Sequence, residues 1–528
     1  MYFPNSYRSM LVLVPFFVSA TTAHTAPPKL DYLFPAGGQR GTSVEITAGG
    51  AFERWPVKAH IEGNGIDIKP AKTSGKLSLT IPTDAEPGVY WLRLYDEDGP
   101  SIARPFIVGV LPEILEQEPN DDPKKPQLIT KSSILNGRLD KPGDVDTFAC
   151  KLTKGQTLVA SLEAHKTLRS PMDGVLQILT SDGFVLEQND DYHGFDPQIA
   201  FTASKDGTYL VRVFAFPAVP DSTIRFAGKE NFVYRLTITT EPFVEYAYPL
   251  AMARSAPSTV ELVGWNIPDD LRKFPVTPRE GPNLLKLFDP RIANVFHVRQ
   301  EPNPVLAAPS KRENPLMVTP PITITGRIDK RGDIDVYQFD ARKGDKLAIR
   351  IEARTLGFPL DPILRLTNNV GTMLAQSKAA AIGSDPLLDF TAVQDGSYRL
   401  EVRDLHGDGG MRHVYRIRIG AITPDFELKV VGDTFTLSPS KPLEIPITLT
   451  RLGGFKPEIV LSVEGLPKEI AATITAKTIT LRATDKTTFA GPIRIVGSAT
   501  DGTKRYARTP VVELARATET FWLTAAWK

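Results

Sequence analysis

Two short stretches concentrate the side chains that could do chemistry. The first is the run Glu116-Gln117-Glu118-Pro119-Asn120-Asp121, and the second holds Asp144 and Asp146. In extended backbone, residues two apart project to the same side, so Glu116 shares a side with Glu118, and Asp144 with Asp146. Asp144 and Asp146 also have the parity of Phe148 and Cys150, which turns them toward the core side at the rim of a strand. Carboxylates placed there need backbone N–H groups, a basic partner or a cation. If the leader run lies across that rim, oxygens from Glu116, Glu118, Asn120, Asp121, Asp144 and Asp146 converge. All are hard donors, and about six to eight such oxygens are what Ca²⁺ takes. No histidine or thiolate joins the group, which disfavours zinc. The expectation is one calcium site.

Other reactive patterns do not appear. The sequence has no His-Glu-x-x-His, no Gly-x-Ser-x-Gly, no phosphate-cradling glycine loop and no cysteine pair with zinc spacing. His406 and His413 flank Gly407-Asp408-Gly409-Gly410, which reads as a polar hairpin tip, and Asn189-Asp190-Asp191 reads as turn chemistry. Cys150 is the only cysteine and sits in a strand pattern, so it reads as a small buried apolar residue. No catalytic or cofactor-binding residue is assigned, and the chain is expected not to be an enzyme.

The elements that must position the acids occur twice. Gly137-Arg138-Leu139-Asp140 with Gly143-Asp144-Val145-Asp146-Thr147-Phe148 returns as Gly326-Arg327-Ile328-Asp329 with Gly332-Asp333-Ile334-Asp335-Val336-Tyr337. The downstream segments stay in step: Leu162-Glu163-Ala164 answers Ile351-Glu352-Ala353, and Asp206-Gly207-Thr208-Tyr209 answers Asp395-Gly396-Ser397-Tyr398. The copies are too far apart for a solenoid period, so they are whole domains. Leu158, Ala160, Leu162 and Ala164, then Tyr234, Leu236 and Ile238, alternate with period two, as do their counterparts in the second copy. That pattern predicts antiparallel sheets with one face buried. The second leader, Arg299-Gln300-Glu301-Pro302-Asn303-Pro304, aligned on Glu-Pro-Asn, places an arginine and a proline where Glu116 and Asp121 stand. Asp146 and Asp335 are therefore expected to serve the fold in both copies, with calcium in the first alone.

Around the copies lie further β-rich segments. The predicted fold is all-β: tandem antiparallel β-sandwiches, immunoglobulin-like and jelly-roll-like. The boundaries are a signal peptide at 1–23, sandwiches at 28–112, 113–241, 301–421 and 422–528, and a small β module or linker at 242–300. The signal peptide rests on Arg8 ahead of the apolar run Met10 to Val18 and the small residues beyond it. That run falls short of the ~20 residues needed to span a bilayer, and no later segment reads as a span. Lysine plus arginine (62) balances aspartate plus glutamate (61) over the 528 residues, so no overall field favours nucleic acid.

The ordered set Glu118-Pro119-Asn120-Asp121, Gly137 to Asp140, Gly143 to Phe148 and Asp206 to Tyr209 resembles the bacterial pre-peptidase C-terminal (PPC) domain, and the second copy resembles it too. Leu33-Phe34-Pro35-Ala36-Gly37-Gly38, with the Gly88-Val89-Tyr90 strand, resembles an IPT/TIG immunoglobulin-like domain. The whole arrangement is similar to secreted multidomain proteins of planctomycete-type bacteria. The PPC resemblance implies a non-catalytic β-sandwich, commonly appended to secreted peptidases, and gives Glu116, Glu118, Asn120, Asp121, Asp144 and Asp146 the role of Ca²⁺ ligands. The expected function is an exported array that binds a protein or polysaccharide polymer in the periplasm, at the cell surface or outside the cell. Two alternatives stand beside it: an accessory subunit of a secreted peptidase, and a hydrolase with a loop-built site.

Overall fold

The computed structural model describes residues 26–63, 65–219, 222, 225–281, 283–310, 315–381, 383–438, 441–475, 477–483, 487–509 and 518–525. The signal-peptide reading of 1–23 lies outside them. Among the described residues the chain is all-β, with two helices of four residues each, His165–Leu168 and Asp269–Arg272. Among the described residues no helix is long and apolar enough to cross a membrane.

Alternating side chains decide which faces meet. In the first copy Leu158, Ala160 and Leu162 of Thr157–Glu163 face Phe148, Val211 and Val213 of the opposite sheet, closing one core. Its two five-stranded sheets run 127–129, 146–152, 207–217, 172–180, 185–189 and 198–202, 157–163, 233–239, 133–138, 113–115. The second copy repeats both orders, with 316–317, 335–341, 396–404, 362–368, 373–377 and 387–391, 346–352, 414–421, 322–327, 305–307. Before the first copy, two four-stranded sheets enclose a separate core that includes Leu30, Leu79 and Phe106. The segment between the copies builds two three-stranded sheets around Val260, Leu262 and Val298. After the second copy, strands from Asp425–Lys429 to Phe521–Ala525 form a fifth unit around Phe426, Ile479 and Ile495.

The sheets are mainly antiparallel, and short edge strands add parallel pairs at their margins: Glu113–Leu115 with Ser133–Arg138, Gln127–Ile129 with Asp146–Leu152, and their counterparts Val305–Ala307 and Leu316–Met317. Two or three residues carry too little alternation to reveal a strand. They nevertheless cover sheet edges that would otherwise expose unpaired N–H and C=O groups. These strands also position the leader.

The units pack on one another. Where the two copies and the segment between them meet, Arg412 Nε lies 2.8 Å from Glu245 Oε1, and Arg412 Nη1 donates to the carbonyl of Tyr192 at 2.9 Å. Gln198 Nε2 donates to the other Glu245 oxygen at 2.9 Å. A carboxylate buried at this junction depends on these donors for its charge.

Candidate metal centre

The leader enters the first copy as the edge strand Glu113–Leu115, and the N–H of Glu116 continues the pairing by donating to the carbonyl of Asn136 at 3.1 Å. This lays Glu116 over Gly137. A Cβ there would collide with the Tyr234 ring and the Glu116 carboxylate, so the glycine makes room for both. The chain then crosses the rim, and the N–H of Thr147 donates to the carbonyl of Asn120 at 3.2 Å.

The crossing gathers three carboxylates. Glu116, Glu118 and Asp146 each place an oxygen within 4.8 Å of the others. Asp144 and Asp146 are fully buried, as their parity with Phe148 and Cys150 requires. Asp144 Oδ2 accepts from the N–H of Asp140 at 2.5 Å, and its Oδ1 lies 3.7 Å from Lys141 Nζ. Asp146 Oδ2 accepts from the Tyr234 hydroxyl at 2.5 Å, and the same hydroxyl lies 3.2 Å from Glu116 Oε2. Asn120 is buried, whereas Glu118 and Asp121 are exposed, so the group opens to solvent on their side. Asp121 accepts from the N–H of Val145 at 3.4 Å and stands 3.9 Å from Lys141 Nζ, at the margin of the cluster.

Electrostatics leave this cluster in want of positive charge. Burial first, and then the neighbouring charge of Glu118, push Glu116 up to about 8, against the lowering effect of the Arg138 N–H and the Tyr234 hydroxyl. Burial pushes Asp144 up to about 6, with Asp121 and Glu118 adding to it and the Asp140 N–H opposing. Asp146 is raised well above the usual carboxylate range by burial and by the charges of Glu116, Asp144 and Glu118. Oδ1 of Asn120, of Asp144 and of Asp146 are buried without a hydrogen-bond partner. A hard cation fits the three carboxylates that meet here: it would bind Glu116, Glu118 and Asp146 and relieve their repulsion. By contrast, burial pushes the Cys150 thiol up to about 12, which makes it inert.

The second copy is a built-in control, and its leader corrects the alignment on Glu-Pro-Asn. Strand register pairs Ile134 with Glu113 in one copy and Thr323 with Val305 in the other, and the Ala308 N–H donates to the Thr325 carbonyl as Glu116 does to Asn136. Ala308 therefore stands where Glu116 does, not Arg299. Glu301 serves elsewhere, flanking the buried Arg416 together with Glu352, as Glu113 and Glu163 flank Arg235. Where the first copy has the Glu116 carboxylate and Phe148, the second has Tyr337, whose hydroxyl lies 2.6 Å from that of Tyr415. The Tyr415 hydroxyl in turn donates to Asp335. A hydroxyl chain there replaces a carboxylate cluster.

Reading from residue types missed Tyr234, Gly137 and Lys141. Tyr234 looked like a core residue of an alternating strand, and its glycine partner was the one available signal.

A model of the bacterial pre-peptidase C-terminal domain matches residues 144–215 and 333–404. The chain carries two PPC domains. Both matches begin at the first aspartate of the Asp-x-Asp pair, so the acidic leader lies outside them. Solved structures similar to parts of the chain include the PPC domain of a Bacillus anthracis collagenase, 19% identical, covering 21% of this chain and 99% of that one with a TM-score of 0.17. The Salmonella Typhimurium periplasmic inhibitor of g-type lysozyme is 20% identical over 20% of this chain and 96% of that one, at 0.15. The insect immune protein hemolin is 12% identical over 95% and 100%, at 0.24. No curated protein matches the chain.

Proposed function

We propose that this chain is an exported, non-catalytic multidomain binding or adhesion protein whose first PPC domain is stabilised by one Ca²⁺. The observation that carries the metal reading is the convergence of Glu116, Glu118 and Asp146, where Asp146 Oδ1 is buried without a hydrogen-bond partner. Glu116, Glu118, Asp144 and Asp146 would hold the ion with Asn120, and Asp121 would close the solvent side. The bound cation supplies charge neutralisation and a fixed crossing for the leader; it takes part in no reaction.

The leader is also a joint. Glu113, at its start, pairs with the buried Arg235, and Gly37 of the preceding unit packs against that arginine. Pinning 116–121 therefore fixes how the first PPC domain carries the unit before it. The near balance of charge supports a protein or polysaccharide partner over nucleic acid, and the Met1–Ala23 pattern supports export. The family's description names pre-peptidases, which supports a second reading, a substrate-capturing accessory subunit of a secreted peptidase. Co-purification with peptidase activity separates the two.

The test is tryptic cleavage of the full chain after the exposed Lys124, beside the leader. Calcium should slow it several-fold, and the calcium-loaded chain should then be screened against immobilised collagen, other proteins and glycans. Cleavage indifferent to calcium would remove the metal from the proposal, and hydrolysis of a screened polymer would remove the non-catalytic reading.

A further inference from the structure

The last described strand, Phe521–Ala525, is buried on both faces. Phe521, Leu523 and Ala525 point into the core of the fifth unit. Trp522 and Thr524 point the other way, where the outer face of a free-standing sandwich meets water, yet they are 3% and 1% exposed. The first unit covers Trp522. The rings of His60 and Tyr95 lie 5.0 and 4.9 Å from the indole, and the Arg93 guanidinium lies 5.4 Å away.

Charge follows the same line. Arg93 lies on strand Gly88–Tyr95 of the first unit and is 1% exposed. Its Nη1 donates to the carbonyl of Ser101 at 3.0 Å, and its Nη2 donates to Asp433 Oδ2 of the fifth unit at 2.9 Å. Asp433 is tied to the same patch, since its backbone carbonyl accepts from the backbone N–H of Trp522 at 2.8 Å. A buried guanidinium is costly without a counter-charge, and here a carboxylate from the far end of the chain provides one. Residues 422–424 join the fifth unit to the second PPC domain, between strands Val414–Ala421 and Asp425–Lys429.

We propose that the outer face of strand Phe521–Ala525, with Asp433, is a docking surface whose partner is the first unit of the same chain. This contact sets the position of the fifth unit and closes the chain head to tail. The array is then one closed body rather than a string, with both PPC domains held at fixed places within it. The inference is independent of the calcium reading.

The test is small-angle scattering and hydrogen exchange on the full chain, wild type beside Asp433→Arg and Trp522→Ala. Both residues lie outside the fifth unit's core cluster. The wild type should scatter as the closed arrangement. Each variant should shift to a larger radius of gyration and maximum dimension, and should lose exchange protection in strands Lys58–Ile61 and Gly88–Tyr95. A wild-type curve showing the fifth unit detached overturns the proposal whether or not the variants fold. So do folded variants whose scattering and exchange match the wild type.

Discussion

Without metal, the first PPC domain should become less stable as the pH rises through neutrality, and Glu116→Gln should reduce that loss. Glu116 is held up to about 8 in the folded chain against 4.5 for an ordinary glutamate. Between those values the folded state binds more protons than the unfolded one, so stability falls with rising pH. For a single group so shifted, the loss between about pH 5 and 7 is on the order of 2.5 kcal/mol. In a domain of this size that corresponds to roughly 8 °C in melting temperature. Asp144 and Asp146 shift in the same direction and steepen the trend. Glutamine keeps an acceptor for the Tyr234 hydroxyl without the charge, so the variant should melt higher than wild type at neutral pH in metal-stripped buffer. With calcium the ionised cluster is the liganded one, and the wild-type trend should flatten or reverse. The assay is calorimetry of the full chain across this pH range, following the transition that Glu116→Gln moves. A metal-free transition that stays level or rises from pH 5 to 7, or a variant with the wild-type slope, would refute the reasoning.

Three further outcomes rest on the same contacts. Tyr234→Phe removes the donor shared by Asp146 and Glu116; it should cost about 1–3 kcal/mol in metal-free buffer and less in calcium, as read by denaturant unfolding. Tyr337→Phe breaks the hydroxyl chain to Asp335; it should cost about 1 kcal/mol in a transition that calcium does not shift. Arg412→Ala strands the Glu245 carboxylate at the junction of the two PPC domains and the module between them; a loss of about 3–5 kcal/mol should appear as separate melting of units that melt together in the wild type.

Much of this architecture is legible in residue types because alternation is a direct signature of a half-buried strand. Leu158, Ala160 and Leu162 could face one way only, and the structure puts them in one core. The Asp-x-Asp parity was legible for the same reason, and it put Asp146 on the buried side. What alternation cannot convey is pairing between distant segments. Tyr234 reaches Asp146 because their strands lie in opposite sheets of one sandwich, and nothing local in its strand announces that. The second leader misled for a related reason: Glu301-Pro302-Asn303 resembles Glu118-Pro119-Asn120, but three residues of parallel pairing at Val305–Ala307 set the register and put Ala308 in the place of Glu116. Contacts between units, such as Arg93 with Asp433, leave no periodic trace at all.

Isothermal titration of Ca²⁺ into the metal-stripped full chain tests the central claim most directly, in parallel with Asp146→Asn and Asp335→Asn. The expected result is one ion per chain, lost in Asp146→Asn and retained in Asp335→Asn, with a dissociation constant at or below about 1 mM, as in extracellular calcium modules. No binding up to about 10 mM, or a site that survives Asp146→Asn and disappears in Asp335→Asn, would contradict it.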